Sequence, residues 1–197
     1  MRLRPDGRSG ALVASLPEFL RHHAASTIDR LWEKLALVRA RPIAGDLVFG
    51  MEVMAALDSQ RKSQTWLEEG TQEVLAMRLR LEASRPLGDL KRGPGGLTDI
   101  EFLAQTMQLK HANRLIGPIE PGTRKALILL ASSDLLPRAV TDELGHAHEF
   151  LSRCLARLRL AHNRQIDELP ATDQESIRLA DEIRKRVRQL FTAWIDA

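Results

Sequence analysis

Tyrosine is absent from this chain, and aromatic side chains make up only 4% of its 197 residues. Little surface is therefore offered on which the bases of a nucleic acid could stack. No helix-turn-helix or zinc-binding pattern is present and the net charge of +3 is close to balance, so nucleic-acid binding ranks last among the functional readings. The single cysteine, Cys154, has no partner for an intrachain disulfide, which fits a reducing compartment. It lies in a helical pattern and reads as a small core filler rather than a nucleophile. No apolar run approaches the roughly 18 residues that cross a bilayer. Arg2, Arg4, Asp6 and Arg8 break up any signal-peptide core. The expectation is a cytoplasmic protein that meets neither membrane nor nucleic acid. His146 and His148 stand two apart and point to different sides of a helix, unlike a metal pair at four-residue spacing. No residue is assigned to a metal, and none to catalysis.

What is present reads as a globular helical protein, with 44% hydrophobic and 28% charged residues. Alternation of the kind that marks strands is not sustained after Val13. Ser15 and Pro17 open a helical pattern expected to continue to about Arg41, where Pro42, Gly45 and Asp46 break it. A second helical span runs from about Asp46 to Ala83, with Gly70-Thr71 as its expected division. Further helices are expected from Thr98 to about Arg114, from Thr123 to about Ser133, from Thr141 to about Glu168, and from a Thr172/Glu175 capping box nearly to Trp194. The fold class is all-α, an antiparallel helical bundle with a short N-terminal strand or loop remnant.

The most specified stretch is Lys91-Arg92-Gly93-Pro94-Gly95-Gly96-Leu97-Thr98-Asp99-Ile100-Glu101-Phe102. Its glycines permit angles that a side chain forbids, and Thr98 with Glu101 has the spacing of a capping box. A phosphate cradle is disfavoured: the Walker signature is missing, and Asp99 and Glu101 would repel an anion. Along the helix that follows, Ile100, Leu103, Ala104 and Met107 form a core stripe. Glu101, Gln105 and Gln108 form a polar row, open to two readings: a solvated face, or a face turned toward another domain or a substrate. Arginine clusters at Arg2, Arg4 and Arg8, at Lys91 and Arg92, and at Arg184, Lys185, Arg186 and Arg188 could face a polyanion, but a charge run of this kind is more often a solvated face.

This loop resembles the signature of the helical domain in glutamine-synthetase adenylyltransferases, bifunctional enzymes that attach and remove AMP on glutamine synthetase. Two more stretches carry the resemblance. Met1-Arg2-Leu3-Arg4-Pro5-Asp6-Gly7-Arg8-Ser9-Gly10-Ala11-Leu12-Val13 is similar to the run that leaves the family's nucleotidyltransferase fold. Trp32-Glu33-Lys34-Leu35-Ala36-Leu37-Val38-Arg39-Ala40-Arg41 with Gly45-Asp46 is similar to the helix that comes next. The Asp99-Ile100-Glu101-Phe102 form resembles the adenylylating half of these enzymes, whereas Asp167-Glu168-Leu169-Pro170 resembles the deadenylylating half, and the choice stays open.

The resemblance implies ATP and Mg2+ as cofactors of the full enzyme, with neither held tightly by this chain alone. It implies glutamine synthetase and a PII signal protein as partners, together with a nucleotidyltransferase domain that this sequence lacks. It divides the chain into an exit segment of that domain, residues 1–14, and a helical bundle, residues 15–197. Candidate nucleotide or interdomain positions carried over from the motifs are Arg2, Arg4, Arg39, Arg41, Gly95, Gly96, Asp99 and Glu101. The superfamily's chemistry needs a Gly-Ser followed by closely spaced carboxylates that hold two metal ions, and no Gly-Ser-x-x-Glu-x-Asp or Gly-Ser-x-x-Asp-x-Asp pattern occurs here. The expectation is a piece that cannot transfer AMP alone. A non-catalytic helical module that binds another protein is the alternative.

Overall fold

The computed structural model describes residues 13–24, 31–164 and 166–196, and side chains of Ser15, Asp46 and Asp173 accept first-turn amides at the starts of three of its helices. The N-terminal strand or loop remnant lies largely outside the described residues. The elements are α1 (Leu16–His23), α2 (Leu31–Leu37), α3 (Leu47–Ser63), α4 (Glu68–Glu82), α5 (Leu97–Lys110), a 3-10 turn (Ala112–Arg114), α6 (Thr123–Ser132), α7 (Arg138–His162) and α8 (Gln174–Ile195). Eight α-helices and no strand occur among the described residues, which is the all-α class read from the sequence.

Helix α5 is the central member, packing against α2, α4, α6, α7 and α8. Ile100, Leu103, Ala104 and Met107, spaced at i, i+3, i+4 and i+7, are all at most 1% exposed. They join one apolar cluster with Leu31 and Leu35 of α2, Val74 of α4, Leu127 and Leu130 of α6, Leu144 and Leu151 of α7, and Val187, Phe191 and Ile195 of α8. Cys154 packs against the edge of this cluster. Burial pushes its thiol pKa up, against the pull of Arg157 and Arg153. No helix is long and apolar enough to cross a membrane among the described residues.

Several boundaries differ from the sequence pattern. Ser15 does cap α1 in a capping box with Glu18, the Glu18 Oε2 accepting from the Ser15 amide at 3.0 Å. The pattern expected to run on to Arg41 is interrupted: α1 ends at His23, and α2 at Leu37, where the Leu37 carbonyl is taken by the Arg61 guanidinium at 2.8 Å. The division of the second span falls at Gln64–Leu67 rather than at Gly70-Thr71, because Gln64 is extended. Thr71 instead accepts the Trp66 indole N–H at 3.1 Å inside the start of α4.

Three expected caps are not used. Helix α5 starts one residue before Thr98, with Gly96 at the cap, because carbonyls of the preceding loop reach its first amides. Pro137 precedes α7, so Thr141 lies one turn inside, its hydroxyl donating to the Arg138 carbonyl at 2.9 Å. In α8 the cap is Asp173, which accepts from the Ser176 amide at 3.2 Å and displaces Thr172 from that role.

Candidate functional site

The glycine loop is built into the interior. Asp89 accepts from the amides of Lys91 and Arg92 at 2.8 and 2.7 Å, folding the chain back on itself. The Leu90 and Lys91 carbonyls then receive the amides of Leu97 and Thr98 at 3.0 and 2.9 Å, and Gly96 N–H donates to the Gly93 carbonyl at 3.0 Å. Gly95 has φ +69°, and a Cβ there would lie 1.8 Å from the Arg184 carbonyl oxygen of α8. Only glycine permits that approach.

Asp99 has no exposed surface. Its carboxylate accepts from the Gly95 amide at 2.8 Å, from the Arg78 guanidinium, and from Arg188 at 3.0 Å. Arg78 and Arg188 also meet Glu82 at 3.2 and 2.6 Å, so two cations and two anions alternate in a closed ring. Arg78 completes the knot by donating to the Gly93 carbonyl at 2.8 Å. The donor set does not fit a phosphate or a metal ion. The Gly95 and Gly96 amides and the first amides of α5 are already bonded within the protein, and the Asp99 charge is matched by two guanidinium groups.

A second group lies on the surface nearby. Arg39, just after α2, reaches Glu101 on the first turns of α5 at 3.4 Å, across 62 residues of sequence. Their side chains are 55% and 20% exposed, so the pair faces water on one side and the bundle on the other. His148 of α7 adjoins them. Burial lowers its imidazole pKa, with the Glu101 carboxylate opposing and the Arg39 guanidinium adding to that depression. Arg41 is exposed two residues beyond. Arg2 and Arg4 lie outside the described residues. The structure thus brings together Arg39 and Glu101, and separately Gly95, Gly96 and Asp99.

Sequence reasoning weighed His148 only as half of a metal pair and did not place it beside Arg39 and Glu101, although its position next to Leu144, Ala147 and Leu151 on the buried stripe of α7 was a usable signal. It also missed a cluster at the end of α1: His22 Nε2 lies 2.9 Å and His23 Nδ1 3.6 Å from the Glu33 carboxylate of α2. Glu33 and His23 are buried, so this contact ties α1 to the bundle. The polar row of α5 divides by depth. Gln108 is fully buried and clamps the backbone of Glu120, accepting its amide at 2.7 Å and donating to its carbonyl at 3.2 Å.

Comparison with known proteins places this geometry. Residues 67–192 match, and belong to, the family described as GlnD PII-uridylyltransferase, while residues 1–56 match the model described as GlnE, glutamate-ammonia ligase adenylyltransferase. A protein of Nitrosococcus oceani is 34% identical over the whole of this chain, which covers 20% of that relative. One of Thioalkalivibrio sulfidiphilus is 37% identical over 91% of the chain and 19% of the relative. One of Mycobacterium leprae is 33% identical over 88% of the chain and 18% of the relative. Each is named bifunctional glutamine synthetase adenylyltransferase/adenylyl-removing enzyme. The chain belongs to the GlnE adenylyltransferase family. It spans about a fifth of the length of the curated GlnE relatives it matches. The Arg39–Glu101 pair consequently joins the segment matched by the GlnE model to the segment matched by the uridylyltransferase model.

Proposed function

We propose that this chain is the helical domain of a glutamine synthetase adenylyltransferase/adenylyl-removing enzyme, with residues 15–197 as the bundle and residues 1–14 as the exit from a nucleotidyltransferase fold. It serves AMP transfer from ATP to glutamine synthetase by positioning that fold and its protein substrate, and it transfers no AMP alone. The observation that carries this reading is the 34% identity to such an enzyme along the entire chain, set beside the missing Gly-Ser and paired-carboxylate pattern. Two-metal phosphoryl transfer depends on such carboxylates, and the acid at the head of α5 that resembles the family signature, Asp99, is enclosed by arginines.

Under this reading ATP and Mg2+ are held by the nucleotidyltransferase part, and glutamine synthetase and a PII signal protein are the macromolecular partners. The cell compartment is the cytoplasm. Arg39, Arg41 and Glu101 lie on the face turned to the catalytic fold, and Gly95, Gly96 and Asp99 set the angle at which α5 presents Glu101. Arg2 and Arg4 belong to the exit segment.

The test is to incubate the 197-residue chain with ATP, Mg2+ and glutamine synthetase, alone and joined to the segment of the Nitrosococcus oceani relative that precedes its match. Mass spectrometry of the synthetase is expected to show AMP-tyrosine only with the joined protein. AMP transfer by the chain alone would overturn the assignment. The absent carboxylates also favour a second reading, a module that binds glutamine synthetase without chemistry. Tight binding by the chain, with no AMP transfer even when joined, would select it.

A further inference from the structure

The N-terminal half of α3 is apolar at nearly every position and yet largely faces water. Glu52 is the single charged residue between Leu47 and Leu57, and a helix that is apolar all round is ordinarily enclosed. Instead Leu47, Val48, Phe49 and Met51 are 61, 71, 50 and 61% exposed, and Ile43 in the preceding turn is 83% exposed. Only the distal half is taken into the bundle, through Leu57 and Arg61.

The projecting half is well built. Asp46 caps it by accepting the Val48 and Phe49 amides at 2.8 and 3.1 Å. The turn before it lies against the helix, since a Cβ on Gly50 would be 2.7 Å from the Pro42 Cβ. An ordered apolar surface of this kind marks an interface.

Two facts bear on what covers it. The GlnE match ends at residue 56, so the exposed half of α3 falls inside that match and its buried end beyond it. The relatives are about five times longer than this chain. We infer that Ile43, Leu47, Val48 and Met51 form the docking face for the nucleotidyltransferase domain of the longer polypeptide, and that this domain meets it with a largely uncharged apolar surface. The inference rests on the proposed function and names the surface through which it operates.

The preceding segment of the Nitrosococcus oceani relative is produced separately and titrated with the 197-residue chain, binding being followed by calorimetry and mass by analytical ultracentrifugation. A one-to-one complex is expected, weakened about tenfold or more by Val48→Asp with Met51→Asp, and unchanged by Leu179→Asp at an exposed site on α8. Circular dichroism of the double variant should show an unchanged melting transition, since neither side chain is packed. Absence of a complex, a complex indifferent to the double substitution, or self-association of the chain through α3 would each overturn the surface. Binding lost on substitution, in a mixture that transfers no AMP, supports the surface while the proposed function fails. AMP transfer unaffected by the substitutions keeps the proposed function and removes the surface.

Discussion

Two glycines separate what the loop needs from what a helix tolerates. A methyl group at Gly95 would meet the Arg184 carbonyl at 1.8 Å, at a φ of +69°. Backbone displacement and left-handed strain together make Gly95→Ala cost about 3 kcal/mol, a large share of the roughly 5–15 kcal/mol that holds a domain together. A methyl group at Gly145, inside α7, would have nothing within 4 Å, so Gly145→Ala should gain roughly 0.5–1 kcal/mol through helix propensity. Urea unfolding of the pair measures both signs in one host. The acids at the head of α5 divide in the same way. Asp99→Asn leaves Arg78, whose side chain is 1% exposed, with Glu82 as its remaining carboxylate partner, and is expected to cost about 3 kcal/mol. Glu101→Gln loses a 3.4 Å pair whose Arg39 partner is 55% exposed, worth less than about 1 kcal/mol after solvent screening. A loss of AMP transfer in the joined protein carrying Glu101→Gln, with an unchanged denaturation midpoint, would assign Glu101 to function; equal losses of stability for the two substitutions would contradict the structural division.

Helix α7 carries a titration that burial shifts first, with charges on α5 and just after α2 pulling in opposite directions. The folded-state pKa of His148 is lowered, first by burial, with Glu101 opposing and Arg39 adding to the depression. The unfolded chain therefore takes up a proton before the folded one does, so stability falls as pH drops below about 6.5 and levels off beneath the folded value. His148→Asn should shrink the difference in melting temperature between neutral and mildly acidic buffer; an unchanged difference would show that another group sets it. This element also marks what sequence could reveal. The core stripes of α5 and α7 repeat at helical spacing, a local property, so Ile100, Leu103, Met107, Leu144 and Leu151 are legible from the sequence alone. The start of α1 at Ser15 is legible for the same reason. The cap of α5 is not, because the groups that replace Thr98 and Glu101 are carbonyls of a folded loop. The partners of Asp99 lie 21 and 89 residues away, and Arg39 lies 62 from Glu101. Matching charges over such distances needs the packing of the helices, and many pairings fit the sequence equally well.

At the scale of the molecule, the segments matched by the two family models are not separate folding units. Leu31, Leu35 and Val38 come from the stretch matched by the GlnE model, yet they are 1, 4 and 1% exposed and belong to the cluster built around α5. Arg61 ties α3 to the end of α2, and Lys34 donates to Gln64 at 2.7 Å, so α2 is bonded to the stretch between the two matches. Burying one such aliphatic side chain contributes about 1.5–3 kcal/mol, an upper range because unfolded chains already hide part of that surface. A fragment of residues 67–197 would lose three of these side chains together with Leu57. It should be less stable by on the order of 5 kcal/mol and should bind an apolar dye along the uncovered flank of α5 and α4. Thermal denaturation followed by circular dichroism, with dye fluorescence on the same samples, compares it with the full chain. Coincident melting curves and no added fluorescence would mean that α2 is an ornament on an independent bundle. A lowered, broadened transition would mean that the boundary between the two matches runs through a single core, so that a domain docked on α3 is mechanically continuous with α5 and the face carrying Glu101.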